Sequence, residues 1–238
     1  MATYDLEQQE QLDQVKHFWK QYGNLITWVL VLALGGYAAY TGYLYWQQKR
    51  STGAGSLYEE LDRAAVAGEV DKAAKVFADL KDSYAGTTFA EQGALLVAKV
   101  EVDRQKNDLA SGSLKWLVDN GKNKDLVAIG RLRLAGLMLD AKQYDEALKV
   151  LSVDMPEAYA ALADDRRGDI LAAQGKKDEA LKAYLASWKA LPATVEYRRF
   201  VEGKLTVAGQ APQAYQAAMP ARAGAAPSGM PPGLASTN

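Results

Sequence analysis

Charge vanishes from the chain between Gln21 and Gln48, and beyond Lys49 it returns with a helical rhythm. The uncharged stretch is apolar enough to be a membrane span. A lipid-crossing helix needs about 20 apolar residues, since each rises about 1.5 Å and the hydrocarbon layer is about 30 Å thick. Leu25 to Trp46 supplies 22 residues. From Ser51 to about Ala208 apolar residues recur three and four positions apart, as in LDRAAVAGEVDKAAKVFADL and LRLAGLMLDAKQYDEALKVL. That spacing predicts amphipathic helices of about a dozen to twenty residues joined by short turns. Ala and Leu dominate, and both favour helix. Only Pro156 and Pro192 interrupt this region.

Three readings compete for the apolar stretch. A cleaved signal peptide needs a short basic start, roughly 7–15 apolar residues and a small-x-small cleavage site. Here the start, YDLEQQEQLDQ, is long and acidic, and QQKR follows the run. A soluble core helix is rarely uncharged all round over this length. A permanent anchor fits best. Phe18, Trp19 and Tyr22 at one end and Tyr43, Tyr45 and Trp46 at the other match the two aromatic belts of a membrane interface. Within the span, Gly35/Ala39 and Ala38/Gly42 are small residues four apart, which lets a second helix approach closely. The same residues also suit a lone span. Orientation is not encoded in charge: Lys16 and Lys20 precede the span, Lys49 and Arg50 follow it, and the count is a tie.

The region after the anchor repeats itself. YDEALKVL (Tyr144–Leu151) and KDEALKAY (Lys177–Tyr184) share DEALK, with Ala147 and Ala180 in register 33 residues apart. The tetratricopeptide period is about 34 residues. In the unit Ala161–Pro192, Gly168 is the small residue of the first helix and Gly175 turns the chain. Ala180 allows close packing, Tyr184 fills the seam and Pro192 ends the unit. The preceding unit keeps Ala135, Met138, Tyr144, Ala147 and Leu151 without the turn glycine or closing proline. A weaker unit carries Gly68, Val70, Ala73 and Phe77, and a fainter one Leu109, Gly112 and Trp116. The expected fold is therefore all-α: one transmembrane helix followed by a solenoid of about four tetratricopeptide-like hairpins, each burying its apolar face on the next. A non-repeating helical bundle is the alternative. ATVEYRRFVEGKLTVAG is expected to cap the stack.

The domain boundaries that follow are 1–23 before the span, 24–46 for the span, 51–208 for the repeats and 209–238 for a tail. That tail is rich in Ala, Gly and Pro, too poor in large apolar side chains to offset ordering entropy, and is expected to be disordered. STGAGS, Ser51 to Ser56, lacks the Lys of a phosphate-binding loop and is expected to be a hinge.

Composition narrows the chemistry. Twenty-eight basic residues against 29 acidic ones give no excess for nucleic acid. Cysteine is absent and His17 is the one histidine, so the part after Ser51 holds no Ser-His, Cys-His or ordinary zinc machinery. Asp164, Asp165, Arg166, Arg167 and Asp169 read as a solvated helix face with pairs three and four apart. Ser113 and Lys115 are close in sequence without implying a dyad. Tyr58, Tyr84, Trp116, Tyr144, Tyr159, Tyr184, Trp188 and Tyr197 read as packing residues. No catalytic residue, metal site, cofactor or small-molecule substrate is expected.

The order of parts, an acidic start (YDLEQQEQLDQVKHFWKQYGN), one span, then YDEAL and KDEAL units, resembles the YfgM-type family of ancillary SecYEG translocon subunits over residues 1–208. The resemblance implies a cytoplasmic N-terminus and a periplasmic repeat domain on the bacterial inner membrane. It also implies a non-catalytic scaffold or chaperone-like role beside the SecYEG translocon, with periplasmic chaperones or translocating proteins as partners. A tetratricopeptide scaffold of another envelope assembly, for outer-membrane proteins or the cell wall, is the alternative, because fold does not name a partner.

Overall fold

The computed structural model describes residues 3–153 and 155–209, with side chains from residue 16 onward. The described residues form nine α-helices and no strand: α1 (Thr3–Val66), α2 (Val70–Tyr84), α3 (Thr88–Asp103), α4 (Asn107–Asn120), α5 (Lys124–Asp140), α6 (Tyr144–Leu151), α7 (Glu157–Ala173), α8 (Lys177–Ala190) and α9 (Tyr197–Val207). The end of α1 pairs with α2, and α3/α4, α5/α6 and α7/α8 make three further hairpins. The tail from residue 210 onward lies outside the described residues.

All four hairpins turn in the same way. Gly68, Gln105, Lys142 and Gly175 adopt left-handed φ values of 69°, 59°, 60° and 79°. The residue after each reaches back to a carbonyl five positions earlier. Glu69 N–H donates to Ala64 O at 3.0 Å, Lys106 to Glu101 O at 2.8 Å, Gln143 to Met138 O at 2.8 Å and Lys176 to Leu171 O at 2.9 Å. This is the Schellman closure, which satisfies carbonyls left open at a helix end and reverses the chain. Each second helix begins one residue further on, at Val70, Asn107, Tyr144 or Lys177.

The register fixes one small residue per hairpin. Ala73, Ala110, Ala147 and Ala180, each five positions past the left-handed residue, are 0–2% exposed. These methyl groups are buried in the core where the helices of each hairpin pack. Gly168 plays the same part from the other helix: a Cβ there would overlap the Tyr184 ring. Gly112, expected as the packing residue of the second unit, is exposed, and a Cβ there meets nothing within 4 Å. Ala110 holds that position instead. Pro192 follows α8, where Leu191 is already extended at ψ 130°, the conformation proline imposes on the residue before it.

The expected hinge is also corrected. STGAGS lies inside α1, which runs unbroken from Thr3 to Val66. Its small residues serve contact and not flexibility. Ala54 is fully buried, and Gly53 lies directly under the Tyr84 phenol, where a Cβ would stand 2.9 Å from Cζ. One turn earlier, Arg50 Nη2 donates to Ser83 O at 3.3 Å. The helix that carries the apolar run is therefore the same helix that begins the repeat stack.

Candidate protein-binding surfaces

Three surfaces offer themselves along the chain. The first is the bare part of α1. It is long and apolar enough to cross a membrane, and its most apolar stretch is 0% buried against the rest of the chain. Its threonine hydroxyls bond within the helix: Thr27 Oγ1 donates to Gly23 O at 2.7 Å and Thr41 Oγ1 to Tyr37 O at 3.0 Å. Such back-bonding is what a hydrocarbon surrounding demands of a polar side chain. Gly35, Ala38, Ala39 and Gly42 are all exposed. Steps of three and four place them on one face.

The second surface is a groove of about 350 Å³ lined by the first helices of successive hairpins, α3, α5 and α7. Lys99 pairs with Asp103 at 2.8 Å on its rim, and Arg133 Nη1 donates to Leu95 O at 3.2 Å across it. The Arg166 guanidinium lies over Gly136, its Cζ at ordinary contact distance, 3.8 Å, from where a Cβ would stand. Val102 and Leu137 provide apolar floor between these charges. The mixture of signs over an apolar base suits a peptide or protein segment and assembles no set of acid, base and nucleophile.

The third surface is the C-terminal end, where α9 closes the stack. The charge cluster of α7, expected to be a solvated face, is divided. Arg167 pairs with Asp164 and also donates to Leu151 O, and Arg166 lies 3.7 Å from Asp169. Asp165 instead points inward and is 1% exposed. Lys204 of α9 reaches it at 2.9 and 2.7 Å and touches Asp169 at 2.7 Å. Tyr197 donates to Asp165 Oδ2 at 2.6 Å and Tyr184 to Asp169 Oδ1 at 3.0 Å. Burial first, and the adjacent carboxylates second, raise both phenols well above their ordinary value. They remain protonated donors at any physiological pH. Beside this network, Arg198 stacks on Trp188 at 4.1 Å, and Trp188 Nε1 donates to Glu202 at 2.9 Å. A groove of about 690 Å³ opens between α8 and α9, with Phe200 59% and Val207 92% exposed.

Two more buried carboxylates brace the stack. Glu91, 3% exposed, accepts from Lys122 N at 2.6 Å and Asn123 N at 3.3 Å, which pins the α4–α5 turn. Glu101, 2% exposed, accepts from Ser113 Oγ at 3.0 Å. Burial lifts its carboxyl above the usual value, against smaller opposing effects of Ser113 and Lys106. Sequence reasoning placed Asp165 on a solvated face and did not single out Glu91 or Glu101. A signal existed for Asp165: it falls four after Ala161 and three before Gly168, on the apolar face of α7. Among the described residues no group of three or more His, Cys, Asp or Glu is placed to hold a metal ion.

The sequence pattern of the tetratricopeptide repeat-like domain family matches residues 16–210. A protein of Neisseria gonorrhoeae named ancillary SecYEG translocon subunit is 33% identical over 209 residues, 86% of this chain and 98% of the relative. Its namesake in Escherichia coli is 29% identical over 215 residues, 87% of this chain and all of the relative. One from Haemophilus influenzae is 26% identical over 185 residues, 76% of this chain and 89% of its own length.

Proposed function

This chain belongs to the YfgM-type family of tetratricopeptide repeat-like proteins, and on that basis we propose that it is a membrane-anchored, non-catalytic scaffold of the Sec translocon that engages proteins emerging into the periplasm. The observation that carries this reading is the match to relatives named as translocon subunits over nearly their whole length, span and repeats together. The bare face of α1 supports it on the membrane side. Gly35, Ala38, Ala39 and Gly42 are exposed and offer a shallow path for a translocon helix. The groove of α3, α5 and α7 and the apolar rim of Phe200 and Val207 are the surfaces for clients or periplasmic chaperones.

Tethering is the mechanism. A site held near its client by a short link works at an effective concentration of about millimolar, so binding can be weak and quickly reversed. A transient client needs that reversibility. On this reading the chain sits in the bacterial inner membrane with its N-terminus in the cytoplasm and its repeats in the periplasm.

The test is photo-crosslinking in native membranes from a reactive residue placed at Gly35 or Ala39. The expected product joins the chain to a translocon subunit. Recovery of lipid adducts alone, from both positions and from the opposite face, would remove the translocon from the proposal.

A further inference from the structure

We propose that the membrane-proximal end of the repeat stack carries a binding site for the phosphate headgroup of an anionic phospholipid, formed by Lys122, Lys124 and Arg131. The site is a cavity of about 630 Å³ between the α4–α5 turn and the α6–α7 loop. Val118, Val127 and Met155 line it beside the three cations, and the described lining holds no acid. Asp154, in the same loop, lies outside the described residues. None of the three cations joins an ion pair among the described residues, and Arg131 Nε is buried with no hydrogen-bond partner. Lys122 and Lys124 are exposed. Three cations without an ion-pair partner among the described residues, around a cavity with apolar walls, match a phosphate diester carrying acyl glycerol.

A chain of contacts sets the height of this cavity above the bilayer. The proposal rests on reading α1 as a span. Trp46 ends the apolar run, and the Arg50 guanidinium stacks on it at 4.7 Å. Four residues of helix rise only about 6 Å, so Arg50 lies at the headgroup layer. Arg50 holds Ser83 O at 3.3 Å, which draws the end of α2 down to that level. Past Ser83 the chain reaches Gly86, and Lys122 Nζ lies 3.6 Å from where a Gly86 Cβ would stand. Because α1 is one unbroken helix from span to stack, this chain of contacts places Lys122 and its cavity toward the membrane surface. Glu91 accepting the Lys122 and Asn123 amides fixes the turn in that pose.

The full chain reconstituted in nanodiscs tests this by amide hydrogen exchange of the α4–α5 turn. Nanodiscs of phosphatidylcholine alone are compared with an equal mixture of phosphatidylcholine and phosphatidylglycerol. The expected result is exchange at Lys122–Lys124 slowed several-fold in the anionic discs. That slowing disappears in the double variant Lys122→Ala/Lys124→Ala and at molar salt, where the Debye length falls to about 3 Å. Both lysines are exposed, so the double variant keeps its fold, and unchanged exchange in α7 and α8 checks it. Arg131→Gln on its own, which keeps the stem, weakens the slowing without abolishing it. Equal exchange in the two lipids overturns the site. So does slowing by inorganic phosphate in phosphatidylcholine discs at a level matching the anionic lipid, which would make it a free-phosphate site. A chain that fails to enter nanodiscs would instead refute the span.

Discussion

Asp165 shows how far one side chain can depart from its sequence neighbours. It sits between solvated charges, yet 1% of it is exposed, and its carboxylate is held by Lys204 and Tyr197 from α9. A buried pair broken from one side leaves the other charge without compensation, at a cost of about 3–5 kcal/mol. Lys204→Met should therefore destabilise the detergent-solubilised chain by about 3 kcal/mol in chemical denaturation, near the lower end because Tyr197 still donates. Lys204→Arg should keep most of the stability. Glu101 makes a prediction of a different kind. Its carboxyl sits above the usual 4.5 because burial disfavours the charge. Between 4.5 and that raised value the folded chain still holds a proton that the unfolded chain has released. Stability from this group is therefore full below the window and falls as pH rises through it. Glu101→Gln should flatten that part of the stability–pH curve and keep the Ser113 contact. An unchanged curve would show that the carboxyl titrates as in water. These residues were poorly legible in advance because their burial depends on partners in distant elements: Lys204 is 39 positions from Asp165.

At the scale of elements, the hairpins are specified by a left-handed turn residue and an alanine five positions later. The two units read most easily from sequence share DEALK around Ala147 and Ala180. The second unit was faint because Gln105 stands where a glycine would announce the turn, and Gly112 drew attention away from Ala110. The STGAGS segment misled for a related reason. Glycine and serine mark flexibility in a linker, but here they admit the α2 end and the Tyr84 ring against an intact helix. Gln105 and Lys142 pay the steric cost of φ near 60° that Gly68 and Gly175 avoid. Gln105→Gly and Lys142→Gly should each raise stability, by about 0.5–1 kcal/mol net of the added freedom of the unfolded chain. Thermal melts of the single variants and the double check this, with near-additive gains expected since the turns are in separate hairpins. A loss of stability in both would mean that the Gln105 and Lys142 side chains support the turns in ways the helix ends do not reveal.

At the scale of the whole molecule, the described residues form a bare apolar rod that continues into a stack of four helical hairpins closed by α9. Its class and the order of its parts were legible in the sequence, because an uncharged run of membrane length and a period near 34 residues are global patterns. The unbroken join between them was not, since STGAGS reads as a linker and α1 nevertheless runs through it. That join ties the first face of the stack to the apolar run through one continuous helix. The proposal stands on which side of the membrane that face lies, and limited proteolysis answers it. Protease is added to spheroplasts and, separately, to inverted inner-membrane vesicles, and the repeat domain is followed by an antibody. Digestion in spheroplasts with protection in inverted vesicles is the predicted result; protection in spheroplasts with digestion in inverted vesicles would put the stack in the cytoplasm, where it could not meet chains leaving the translocon.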